Sequence, residues 1–193
     1  MPDIIVVGLE CANGLSPFDE YSPFDITHPS FAECPNNTKY GGKGDIYLNC
    51  LSEVLKNVID TNYRILSDKN NTAIMGSSMG GMISVYAGLK YNHTFSRIGA
   101  VSGAYFVALD SMLNVIETSG LNNINKHYMN IGTKEAEVRQ DTDYIEANRK
   151  VYEALSEKLD AAKLKFQGVE GAIHNESEWR KRLPDIIKYL FNN

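Results

Sequence analysis

A chain of 193 residues that is 43% hydrophobic is long enough to bury a core of useful size as one globular domain spanning 1–193. Its formal net charge of −5, with acidic and basic residues interspersed, argues against a nucleic-acid-binding surface. The longest apolar runs are too short to span a bilayer, and Pro2 and Asp3 stand where a signal peptide would carry positive charge, so the expectation is a cytoplasmic protein with no membrane partner.

Taken in order, Ile4-Ile5-Val6-Val7-Gly8 is a β-branched run ended by glycine and predicts a fully buried strand. Leu9 to Lys43 shows no sustained period and is dense in Pro, Asn, Asp and aromatics, which predicts a long loop over a site. Its rings, among them Phe18, Tyr21, Phe24, Phe31 and Tyr40, could line an acyl or aryl pocket or could pin the loop to the core. Cys11, Cys34 and Cys50 are odd in number and lack ligand spacing, so free thiols are expected rather than a disulfide framework.

From Gly44 to about Tyr63, Leu48, Leu51, Val54, Leu55, Val58 and Ile59 recur at helical spacing, with Asp45 near the helix start. Thr72-Ala73-Ile74-Met75 then reads as a buried strand running into Gly76-Ser77-Ser78-Met79-Gly80, a G-x-S-x-G pattern. Met82 to Leu89 follows with apolar residues at helical spacing. Strand, pattern and helix in that order are the context of a nucleophile elbow, in which Ser78 is pushed out of a tight turn. Glycine is expected at both Gly76 and Gly80, because a β-carbon at either would collide with the strand or the helix. The backbone N–H of Met79, at the helix N-terminus, is the natural donor to a developing oxyanion.

Arg97 to Ser102 predicts the next strand, Val107 to about Thr118 a helix ended by Gly120, and His127 to Gly132 a further strand. Asp143 to about Leu159 reads as a helix, Leu164 to Val169 as a strand, and Glu176 to Phe191 as a helix that Pro184 kinks or restarts. Five strands alternating with five helices predict an α/β fold with a mostly parallel sheet, right-handed crossovers and helices on both faces. Ligands of such sheets lie beyond the carboxyl ends of the strands.

A serine hydroxyl needs a base, usually a neutral histidine oriented by a carboxylate. His174 follows the last strand and lies at the carboxyl edge, whereas His127 opens a strand at the opposite edge, His93 ends a helix and His28 lies in the long loop. The order Ser, acid, His places the acid between Ser78 and His174. Glu135, three residues past Gly132, is best placed; Asp141 and Asp143 follow on the same connection, and Asp110 is a weaker rival. No HExxH motif or other His/Asp/Glu cluster has metal-ligand spacing, so no metal or cofactor is expected.

Together these residues resemble the putative esterase (esterase D-like) family of α/β-hydrolases, related to feruloyl and acetylxylan esterases, siderophore esterases and, more distantly, mycolyltransferases. The resemblance runs over nearly the whole chain. It rests on Ile4 to Leu9, Asp19-Glu20-Tyr21-Ser22-Pro23-Phe24, Gly41 to Tyr47, Asn71 to Gly81, Gly132-Thr133-Lys134-Glu135, and His174-Asn175-Glu176 with Trp179. It implies Ser78 as nucleophile, His174 as base and Glu135 as orienting acid, with Trp179 as a packing residue of the last helix.

Two positions depart from the family pattern. An arginine usual before the Glu-Tyr pair is replaced by the stretch Gly14-Leu15-Ser16-Pro17-Phe18. The chain also begins at what looks like the family's fourth core strand, without the loop that gives a second oxyanion N–H. If the first strand pairs with the elbow strand, Leu9 or Glu10 could supply that donor. The expected activity is hydrolysis of a small-molecule or carbohydrate-linked carboxylic ester through an acyl-enzyme. The alternatives are acyl transfer by the same residues, or a truncated inactive relative acting as a binding domain. An uncovered sheet edge would invite a homo-oligomer.

Overall fold

Four parallel strands form one sheet in the computed structural model, which describes residues 3–10, 16–26, 39–135 and 143–192. The strands are β1 (Ala73–Ser77), β2 (Arg97–Val101), β3 (Lys126–Gly132) and β4 (Leu164–Val169), lying side by side in chain order. The helices are α1 (Ser16–Glu20), α2 (Gly44–Asn49), α3 (Lys56–Asn62), α4 (Met79–Lys90), α5 (Leu109–Thr118), α6 (Asp143–Ser156) and α7 (Glu176–Phe191). A π-helical segment, Cys50–Leu55, joins α2 to α3, so the helix expected over 44–63 forms with one irregularity.

Because the sheet grows in one direction and parallel crossovers are right-handed, α4, α5 and α6 all fall on one face. The last helix, α7, packs on the other face, against β2 and β3. Strand residues alternate to match. Ile98, Ala100, Met129 and Ile131 enter the large core, while Val101 and Tyr128 meet Ile186 and Leu190 of α7. Arg97 clamps the end of α7, donating to the Leu190 carbonyl and placing its guanidinium 5.6 Å from the Phe191 ring centroid. α7 runs unbroken through Pro184, so the proline does not restart it.

α4 is buried nearly all round, as its apolar residues on every side require: it lies on β1 and β2 and also meets α2, whose Gly44 and Asp45 approach Ile83 and Tyr86. Asp45 ties the two helices together by accepting from Tyr86 Oη at 3.2 Å and Tyr91 Oη at 3.1 Å. Burial and the Asp45 carboxylate push the Tyr91 phenol up to about 12, so both tyrosines remain protonated donors.

Two expectations need correction. Ile4-Ile5-Val6-Val7-Gly8 forms no strand: Ile5 is 50% exposed, Val6 75% and Val7 42%, and among the described residues β1 pairs with β2 alone. A β-branched run becomes a strand only where another strand offers a ladder and another layer covers its faces. Among the described residues four strands therefore stand where five were expected. The apolar stripe of the helix over 44–62 is also only half used, since Leu48 and Leu51 are buried but Val54 and Val58 remain exposed.

Segment 9–43 is not wholly irregular. It contains α1 and an isolated antiparallel bridge between Asp25 and Gly41. Cys11, His28, Phe31, Cys34 and Asp141 lie outside the described residues.

His127, at the start of β3, is 2% exposed, and its Nε2 has no partner among the described residues. Burial alone pulls its pKa down to about 3 from 6.5. The unfolded chain therefore binds this proton at higher pH than the folded one. The stability contribution is whole above about pH 6.5 and is lost as pH falls toward 3. At pH 5 the loss from this group is about 2 kcal/mol. Urea unfolding at pH 7.5 and pH 5 should show that His127→Gln shrinks the wild-type difference by that amount; an unchanged difference would count against the assignment.

Candidate active site

Each strand delivers one polar residue to the carboxyl edge of the sheet. Ser78 follows β1, Ser102 follows β2, Glu135 follows β3 and His174 follows β4. The strands are in register there, with Ser77 beside Val101, Val101 beside Asn130 and Gly132 beside Val169. Residues from 96 positions of sequence are thereby gathered into one row.

Ser78 has φ +55° and ψ −121°, a conformation an L-residue adopts only when its surroundings impose it. Four backbone hydrogen bonds impose it here. The Ser78 N–H donates to the Val101 carbonyl (2.9 Å), and its own carbonyl accepts from Gly81 (3.0 Å), Met82 (3.1 Å) and Ala104 (3.0 Å). The strand meets the helix with little clearance: a β-carbon on Gly76 would lie 2.5 Å from the carbonyl carbon and oxygen of Gly80. The matching expectation for Gly80 is corrected, because a β-carbon there meets nothing within 4 Å. The second tight point is Gly81, whose β-carbon would lie 3.1 Å from Gly103 Cα and 3.2 Å from the Val101 oxygen.

Gly76→Ala should therefore cost about 1–3 kcal/mol or more. Gly80→Ala should change stability by less than about 1 kcal/mol, since alanine suits a helix. Thermal unfolding of the two variants checks the contrast, which fails if both are equally damaged.

His174 Nε2 stands 3.2 Å from Ser78 Oγ, and Nδ1 stands 3.0 Å from Glu135 Oε2. A carboxylate only accepts, so Nδ1 carries the proton and the Nε2 lone pair faces the serine hydroxyl. The side chains are 7% exposed for His174 and 0% for Glu135. Glu135 Oε1 accepts from the Gly132 N–H at 2.8 Å and from Ser102 Oγ. Ser102 Oγ in turn accepts from Trp179 Nε1 at 3.1 Å, and the Trp179 ring meets His174 edge to face with centroids 4.7 Å apart. Trp179 thus packs as expected and also donates a hydrogen bond. The buried Arg182 guanidinium, whose pKa is lowered by burial, is held up chiefly by the Glu135 charge.

The two loops bearing Glu135 and His174 are laced together. Thr133 N–H donates to the Val169 carbonyl (3.0 Å), Lys134 N–H to Ala172 (3.0 Å), and Gly171 N–H to Thr133 Oγ1 (2.9 Å). Immediately after His174, Asn175 caps α7, its side chain accepting from the Ser177 N–H at 2.7 Å. Glu176 and Glu178 occupy the first turn, where the helix dipole favours them.

The Met79 N–H opens α4 beside Ser78 and donates to no acceptor among the described residues. Leu9 and Glu10, the suggested source of a second donor, lie in a segment that takes no part in the sheet. Tyr21, Phe24 and Tyr40 pack as anchors of their segment: Tyr21 on Tyr47 (5.0 Å), Phe24 on Tyr86 (5.6 Å) and Tyr40 on Phe18 (6.4 Å). Of the rival acids, Asp110 sits in the first turn of α5, and the side chain of Asp143 is outside the described set. His127 lies at the far edge of the sheet.

Two site residues escape a reading of the sequence. Ser102, at φ +50°, is a second strained serine; its only linear signal is its place directly after a strand. Tyr144, near the start of α6, places Oη 3.2 Å from Ser78 Oγ and 3.4 Å from His174 Nε2. No motif marks it. Among the described residues no group of three or more His, Cys, Asp or Glu could hold a metal ion, and no helix is long and apolar enough to cross a membrane.

Residues 1–190 match the family model described as Putative esterase. The chain is 26% identical over 198 residues to the uncharacterized protein YbbA of Bacillus subtilis (strain 168), covering 99% of this chain and 74% of that protein. Among solved structures it is similar to the BES protein from Bacillus cereus, with a TM-score of 0.71 and 18% identity over 93% of this chain and 66% of that one. It is also similar to the enterobactin esterase FES from Shigella flexneri, solved in the presence of enterobactin (TM-score 0.61, 18% identity, 75% and 37% covered). The match thus spans little more than a third of the FES chain. These two likenesses establish the fold, which is of the α/β-hydrolase type.

Proposed function

The chain belongs to the Putative esterase family, and from that premise we propose that it is a serine carboxylic-ester hydrolase working through an acyl-enzyme on Ser78. The observation that supports the reading is the continuous hydrogen-bond chain from Ser78 Oγ through His174 to the buried Glu135 carboxylate, at 3.2 and 3.0 Å. His174 Nε2 takes the Ser78 proton as Oγ bonds the ester carbonyl carbon. The Met79 N–H and the N-terminal dipole of α4 face the charge that develops on the carbonyl oxygen. His174 then returns the proton to the departing alcohol, and water repeats the sequence to release the acid. Glu135 stays ionised throughout, holding the imidazole in the required tautomer and balancing its charge.

FES is named an enterobactin esterase, and the same chemistry extends here to esters of small molecules. Purified protein incubated with p-nitrophenyl acetate or butyrate tests the proposal: turnover that disappears in Ser78→Ala supports it, and turnover indifferent to that change removes it. A second reading, a binding domain without turnover, draws on the absence of residues 3–10 from the sheet, the pairing that would have let Leu9 or Glu10 supply a second oxyanion donor. Stoichiometric labelling of Ser78 by a fluorophosphonate counts against that second reading.

A further inference from the structure

Tyr144 is the polar group at Ser78 that the proton relay leaves unused. The residue is 1% exposed. Its hydroxyl stands 3.2 Å from Ser78 Oγ and 3.4 Å from His174 Nε2, and it donates to the Ser102 carbonyl at 3.2 Å. The ring is gripped between His174 and Phe106, with centroids 4.7 and 4.8 Å away. One turn along α6, buried Asn148 donates to the Gly103 carbonyl at 2.7 Å, fastening the helix to the turn that carries Ser102. The hydroxyl is therefore held by packing on a helix fastened beside the site and is not a surface group that happens to swing near.

The leaving oxygen of an ester is bonded to the same carbon that Oγ attacks, and it must come within about 3 Å of Nε2 to receive the proton. It therefore enters the sector bounded by Oγ and Nε2, which the Tyr144 hydroxyl borders at both distances. Building on the esterase reading above, we propose that Tyr144 is a catalytic residue for the alcohol half of the reaction, its hydroxyl hydrogen-bonding the departing oxygen. As the carbon–oxygen bond breaks, the electron pair goes to that oxygen and the proton on Nε2 follows. Tyr144 turns its O–H from the Ser102 carbonyl to the same oxygen and keeps its own proton. In the second half a water takes this place between Nε2 and the phenol oxygen, gives one proton to Nε2 and bonds the acyl carbon.

The test is Tyr144→Phe, which keeps the ring contacts and removes one oxygen, assayed on ethyl butyrate and p-nitrophenyl butyrate. The parameter kcat/KM reports the steps through acylation. Ethoxide is a basic leaving group that needs help to depart; nitrophenolate needs little. The variant should lose about 10²-fold on the ethyl ester and no more than about tenfold on the nitrophenyl ester, whose remaining turnover also shows that the variant is folded. Equal losses on both esters, or no loss on either, overturn the proposal while leaving the esterase reading intact. Wild-type protein without Ser78-dependent turnover of either ester removes that reading, and the proposal with it.

Discussion

Replacing Ser78 with alanine should lower kcat for p-nitrophenyl butyrate by about 10⁴–10⁶-fold while the protein stays folded. The backbone hydrogen bonds that hold residue 78 at φ +55° involve only its N–H and carbonyl, and alanine keeps both. The hydroxyl's own contacts are His174 Nε2 and Tyr144 Oη, which stay 3.4 Å from each other, and Tyr144 keeps its bond to the Ser102 carbonyl. Stability should therefore move by less than about 1 kcal/mol, and the loss is chemical. In the proposed mechanism base and nucleophile act as one unit, so the double variant Ser78→Ala/His174→Ala should be no slower than either single variant. Steady-state kinetics with urea unfolding decides it. Losses that multiply in the double variant would mean that the two residues do not share a proton.

Glu135→Gln should cost about 10⁴-fold in kcat, although the side chain changes by one atom type. The reason lies in who faces each oxygen. Oε1 accepts from the Gly132 N–H and from Ser102 Oγ, so in the variant those two donors hold the amide oxygen at that position. The amide NH₂ is then turned toward His174 Nδ1, which now has to accept. The proton moves to Nε2, and the lone pair that faced Ser78 is gone. Adding Ser102→Ala to Glu135→Gln removes one of the two donors that fix the amide, so part of the activity should return as the amide gains freedom to flip. kcat for the three variants checks this ordering; a Gln variant as fast as wild type would mean that Glu135 does not set the tautomer.

Most elements were legible in the sequence because the information is local. The period of Met82 to Leu89, the glycine-flanked Ser78 and the strand ahead of it lie within eighteen residues of one another, and β1 with α4 forms there. His174 could be named because it follows a strand, and in a parallel sheet every such position falls on the same edge; the same rule favoured Glu135 over Asp141, Asp143 and Asp110, and the family resemblance made that choice firmer. Ile4 to Gly8 misled for the complementary reason: it has the composition of a strand, but no neighbour lies alongside among the described residues, and Val6 is 75% exposed. Gly80 misled because the direction of a β-carbon on the first turn of a helix depends on how that helix leans on its strand.

The amino-acid order by itself determined the α/β alternation, the strained serine between strand and helix, and the succession of serine, acid and histidine along the chain. Periodicity and glycine placement are properties of a few adjacent residues. Only the tertiary structure decided that Ser102 braces Glu135, that Trp179 donates to Ser102, and that Tyr144 enters the site. Those contacts join residues 33, 77 and 66 positions apart, and side chains so far separated meet only after the sheet has set its register and the helices have closed over its two faces.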